Sequence, residues 1–97
     1  MGSITINRPH NECGKLSEME ITITNGSGQT ITDTVADDDK KTIPVPNGIY
    51  RVFVYSKVKS NPLDITIDDN DVELTATINP VPSRIEIQSV TLEKKEE

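Results

Sequence analysis

Tryptophan is absent, and the only aromatic side chains are Tyr50, Phe53 and Tyr55, all inside one short stretch. A core assembled around several large rings is therefore excluded, and the interior has to be aliphatic. Cysteine is nearly absent as well: Cys13 stands alone, so no intrachain disulfide can form, packing must hold the fold, and a reducing compartment is the better match. No run approaches the roughly 18 consecutive apolar residues of a membrane span. The polar opening "MGSITINRPH" offers no signal-peptide apolar region, and myristoylation at Gly2 fails because Ile6 stands where Ser or Thr is required. The default expectation is a cytoplasmic protein. If Met1-Gly2-Ser3 is a cloning remnant on an excised domain, a secreted origin stays open, and only then does the sequon Asn25-Gly26-Ser27 matter. Basic residues are in deficit too, 10 against 16 acidic, for a net charge of −6 and a pI near 4.7. That balance opposes nucleic acid and anionic lipid, whose phosphates are neutralised by Lys and Arg.

What is present fits one small domain. At 97 residues the chain is too short for two cores, and residues 1–92 are expected to form a single sandwich with a core of about twenty side chains. Residues 93–97, "EKKEE", read as a flexible charged tail.

Apolar residues recur at every second position, almost nowhere with helical spacing. Ile4 and Ile6 alternate with Ser3 and Thr5. Met19, Ile21 and Ile23 alternate with acids and threonines, and after Asn25-Gly26-Ser27-Gly28 come Ile31 and Val35, which predicts a hairpin with threonines on its outer face. Following the polar break "ADDDKK", Ile43 and Val45 form a short strand whose Pro44 and Pro46 demand an edge position. The turn Pro46-Asn47-Gly48 leads into residues 49–58, the strongest β-segment. Asn61-Pro62 turns the chain again. Leu63, Ile65 and Ile67 then precede "DDND" and the run Val72, Leu74, Ala76 and Ile78, two runs expected to pair antiparallel. Ile85 and Ile87 are out of phase with Val90 and Leu92, so a bulge near Gln88-Ser89 is expected to restore one face. "NECGKLSEME" offers the one ambiguous helical turn.

Seven or eight short strands at intervals of roughly 8 to 12 residues predict an all-β antiparallel sandwich, immunoglobulin-like or transthyretin-like, with a small barrel as the competing architecture. From residue 43, "IPVPNGIYRVFVY", a turn, "LDITI", an acidic turn and "VELTATI" follow one another. This order resembles the PEGA-like and transthyretin-like small sandwich modules over residues 43 to 78, with Gly48, Tyr50, Val52 and Val54 at the matching positions. The resemblance implies a non-enzymatic attachment that supports or binds other domains.

Strand alternation sorts residues 49–58 onto two faces. Tyr50, Val52, Val54, Ser56 and Val58 form the expected inner face. Arg51, Phe53, Tyr55, Lys57 and Lys59 form an outer basic and aromatic stripe, suited to a protein partner or to self-association. The bland alternative is lateral packing across neighbouring strands with Asp64 or Glu73 as charge partners. Asp37, Asp38 and Asp39 in one loop and Asp68, Asp69 and Asp71 in another would hold calcium if they shared one end of the sandwich. Otherwise they are solvated turns. His10 and Cys13 are too few for a zinc site, and a Cys13 nucleophile lacks an orienting group and an oxyanion hole. No phosphate-binding glycine loop or serine elbow occurs. The expectation is a non-catalytic interaction module with no resident cofactor, calcium binding as the alternative and a hydrolase-type enzyme a distant third.

Overall fold

The period-two pattern produces strands throughout the computed structural model, which describes residues 1–10, 18–80 and 87–94. The elements are β1 (Gly2–Arg8), β2 (Met19–Asn25), β3 (Thr30–Val35), β4 (Asp39–Val45), β5 (Gly48–Ser56), the two-residue β6 (Val58–Lys59), β7 (Leu63–Ile67), β8 (Asp71–Pro80) and β9 (Ile87–Lys94). No helix occurs among the described residues. The ambiguous stretch from Asn11 to Ser17, with Cys13, lies outside them, as do residues 81–86 and 95–97.

Two sheets pack face to face as a small β-sandwich. Sheet A has the order β4-β1-β8-β9; sheet B runs β3-β2-β5, with β6 and β7 sharing the far edge of β5. β6 lies beside Tyr55 and Ser56, and β7 beside Gly48 to Val52. Inward-facing Ile4, Ile6, Met19, Ile21, Ile23, Tyr50, Val52, Val54, Leu74 and Leu92 are buried between the layers. Tyr50 is the one aromatic of this core, and its hydroxyl donates to the Pro46 carbonyl at 2.6 Å, which gives its polar tip a partner.

Several sequence expectations stand. β2 and β3 form the hairpin, pairing Thr22 with Thr32 and Thr24 with Thr30. In its loop the Asn25 carboxamide oxygen accepts from the Ser27 and Gln29 amides at 3.0 and 2.9 Å. Gly28 takes φ +85, a left-handed geometry that suits glycine after a tight turn. β4 is an edge strand, as its prolines require. In β9, Ile87 faces Pro80 and Ser89 faces Asn79, leaving Gln88 as the inserted residue of the bulge. Val90 and Leu92 are buried, and Ile85 lies outside the described residues.

Four expectations are corrected. β7 and β8 do not pair: β7 bonds to β5 in sheet B, whereas β8 lies between β1 and β9 in sheet A. The acidic turn "DDND" therefore carries the chain between layers. The β1–β8 pairing is parallel, the one exception to the antiparallel pattern among the described pairs. β4 begins already at Asp39, so the polar run is half turn and half strand. The strand expected over residues 49–58 stops at Ser56, because Lys57 adopts φ 63 and reverses the chain so that Val58 faces Ser56.

Candidate interaction face

The outer face of sheet B is set by register. Across β2, β5 and the β6/β7 edge, Glu20 sits beside Tyr55, Thr22 beside Phe53 and Thr24 beside Arg51; Lys59 sits beside Tyr55, and Asp64 beside Arg51. Phe53, Tyr55, Arg51 and Lys59 thus share one surface, as expected. Lys59 arrives there from the neighbouring strand, and its ammonium lies over the Phe53 ring, 4.1 Å from its centre, a cation–π contact. Lys57 is corrected: it occupies the left-handed turn position between β5 and β6 and is not part of the strand face.

Exposure grades along this face. Ile49 is 65% exposed and Tyr55 44%, while Phe53 is half-buried and Arg51 exposed. Arg51 Nε donates to Asp64 Oδ1 at 3.0 Å. This hydrogen bond and the attached opposite charge raise the guanidinium pKa and hold the Asp64 carboxyl below its usual range. The charge partner named from the sequence is therefore real for Asp64. Glu73 is on β8 in sheet A, in the other layer. Beside the stripe, Glu20, Thr22, Thr32 and Thr34 help line an open depression of about 430 Å³ together with Ile21 and Asp33. Its lining carries hydroxyls and carboxylates without a nucleophile–base pair.

The two acidic turns fall at opposite ends of β1. Asp39 is opposite Arg8, and Asp71 is opposite Ser3, a separation of five residues and about 17 Å at strand rise. The shared calcium site drawn from Asp37, Asp38, Asp39, Asp68, Asp69 and Asp71 is thus not assembled. Among the described residues no group of three or more potential metal ligands converges. Each turn has a structural use for its acids. Asp38 and Asp69 take φ 55 and 53, a conformation that Asp tolerates better than most residues. Asp69 accepts from the Met1 ammonium and the Asn47 carboxamide, which lower its pKa. Asp71 accepts from the Ser3 hydroxyl at 2.7 Å.

At the other end lies a group the sequence did not single out. Arg8 continues the Ile4, Ile6 alternation and is buried, its Nη1 donating to the Val35 carbonyl at 3.0 Å. Desolvation lowers the guanidinium pKa while the nearby Asp37 carboxylate opposes that shift, and Arg remains charged. Asp37 Oδ2 also lies 2.6 Å from His10 Nδ1. Asp37 thereby ties the end of β1 to the β3–β4 turn; Cys13 lies outside the described residues. Period two carried the signal for Arg8, since its position belongs to the inner face.

Among the described residues no helix is long and apolar enough to cross a membrane. Comparison of the chain with protein families, with characterised proteins and with solved structures gives no match.

Proposed function

We propose that this domain is a non-catalytic interaction module whose outer sheet B face docks a protein partner. One observation carries the reading: Ile49 and Tyr55 are exposed on the same strand face as Phe53, Arg51 and Lys59, whereas scattered single apolar residues would need no explanation. Tyr55 and Ile49 supply apolar anchors, and the Arg51–Asp64 pair and Lys59 supply a polar rim with fixed geometry. A partner surface with an apolar centre and a carboxylate near Lys59 fits this arrangement. The net charge of −6 supports protein over nucleic acid as the partner class. The module character also agrees with the resemblance to PEGA-like and transthyretin-like attachments, and a cytoplasmic setting agrees with the lone Cys13.

The test is affinity capture from a lysate with the wild type and with Tyr55→Ser, the captured partner then being titrated against both. An anchor of this kind is expected to weaken binding by roughly tenfold or more. Stability should change by only about 0.5 kcal/mol, the range for surface positions. A partner bound equally by both proteins sinks the reading.

A further inference from the structure

We infer that the exposed edge of β3 is a self-pairing site, through which two copies of the chain join sheet B to sheet B about a two-fold axis at Ile31. The inference uses the strand edge and is independent of the sheet face discussed above. Among the described residues, three of the four sheet edges carry a visible obstacle. β4 has Pro44 in the strand, β9 has the Leu92 amide and the Leu92 carbonyl both occupied by the Asn61 carboxamide, and the β6/β7 edge is interrupted at residues 60–62. β3 has neither proline, lysine nor interruption, and Asp33 is its one edge-blunting charge.

The backbone polarity of β3 follows from its hairpin. The Asn25 amide donates to the Gln29 carbonyl at 3.0 Å, so alternation makes Ile23–Ile31 and Ile21–Asp33 the bonded pairs of the ladder. The amides and carbonyls of Thr30, Thr32 and Thr34 consequently point away from β2. Only the last of these is guarded: Asp33 Oδ1 accepts from the Thr34 amide at 2.8 Å and lies 3.7 Å from Lys41 Nζ. The half of the edge nearest the hairpin is open. There Ile31, whose cross-strand partner Ile23 is fully buried, is 38% exposed, and β3 is the last strand of its sheet among the described residues.

A second copy in antiparallel register centred on Ile31 satisfies each of these features. Thr30 faces the partner's Thr32 and the reverse, giving two bonded pairs and four backbone hydrogen bonds. The two Ile31 side chains meet as a non-bonded pair, the closer of the two cross-strand spacings. The two Asp33 carboxylates stay four residues out of register with one another, and each faces the partner's Gln29. A centre on Thr32 would instead set Ile31 against Asp33 and require the Thr34 amide that Asp33 already caps. The contact is small and belongs with transient interfaces, so the equilibrium is concentration-dependent.

Sedimentation equilibrium over a wide concentration range, up to millimolar, is expected to show a reversible monomer–dimer system. Thr32→Pro removes an outward amide that the fold does not use, a place where edge strands tolerate proline, and should weaken association by roughly tenfold or more. Ile31→Lys should do the same without altering the backbone. In a Cys13→Ser background, Ile31→Cys should cross-link on mild oxidation, and Thr32→Cys should not, because its offset of two residues exceeds the Cα separation a disulfide spans. A chain that sediments as monomer at all concentrations overturns the proposal. So does a dimer indifferent to Thr32→Pro and Ile31→Lys but lost on Tyr55→Ser, which would place self-contact on the sheet face.

Discussion

The two flanks of the sandwich are closed by different means. On the β5–β9 side, the Asn61 carboxamide donates to the Leu92 carbonyl at 3.0 Å and accepts from the Leu92 amide at 2.9 Å, so one side chain reproduces the pairing of a missing strand. Beside it, the Ser60 hydroxyl accepts from the Val54 amide at 2.9 Å, and the Ser60 amide donates to the Val54 carbonyl at 2.8 Å. The gap between β6 and β7 therefore leaves no buried peptide group of Val54 unpaired. Along the β3–β4 flank, the described residues show the solvent-accessible Lys41–Asp33 pair, with the Arg8–Val35 bond and the His10–Asp37 contact at its end. Neutral amides held by short side chains occlude an edge. A long-range ion pair between half-exposed groups leaves room beside it.

The largest expected effect comes from the closed flank. Asn61→Ala removes two hydrogen bonds and leaves the Leu92 peptide group facing a partly buried space, where an unmade bond costs about 1 to 3 kcal/mol. Urea unfolding should show the midpoint falling with an unchanged slope, since the fold and the surface exposed on unfolding stay the same. Asn61→Asp keeps the acceptor for the Leu92 amide but turns an oxygen towards the Leu92 carbonyl, and should recover little. If Asn61→Ala is as stable as the wild type, the clamp is decoration and the two flanks are equivalent.

The sequence carried the sandwich in its period-two alternation, because burial between two layers imposes that period on every strand. Tyr50, Val52 and Val54 were legible as core for this reason, and so was Phe53 on the opposite face. The closed flank was not legible. "SNP" reads as a turn, and nothing local to Asn61 points to Leu92, 31 residues away. The parallel β1–β8 pairing is likewise a long-range choice that alternation leaves open. Arg8 was hidden by its charge, which argues for solvent while its position argues for the interior. The acidic turns were legible as turns, but only their placement at opposite ends of β1 separates two loops from one calcium site.

Lys57 is the most informative miss, and it yields the next prediction. Its φ of 63 is a left-handed conformation that costs an ordinary L-residue roughly 1 to 2 kcal/mol, and sequence gives warning of it when Gly, Asn or Asp stands there. Lys57→Gly should relieve this strain, offset in part by glycine's greater freedom in the unfolded chain. The expected net gain is about 0.5 to 1 kcal/mol, read as a higher melting temperature. Partner binding should not change, because Lys57 belongs to the turn and not to the Phe53–Tyr55 face. A destabilised Lys57→Gly would mean that contacts of the Lys57 side chain outweigh the strain of its backbone.

The smallest effect belongs to the open flank. Lys41 and Asp33 are 3.7 Å apart with side chains 44% and 39% exposed, so their attraction is screened and in part offset by ordering two side chains. Lys41→Ala alone is ambiguous, since it also removes a methylene stem from the flank, and Asp33→Ala alone also uncaps the Thr34 amide. A double-mutant cycle removes both confounding effects and should return a coupling of about 0.2 to 1 kcal/mol. That coupling should shrink in 1 M salt, where the screening length falls to about 3 Å. The Asn61 clamp, made of neutral groups, should lose nothing in the same salt. A salt-resistant coupling at Lys41–Asp33 would show instead that this flank is sealed as tightly as the other, and β3 would then have no open edge to offer.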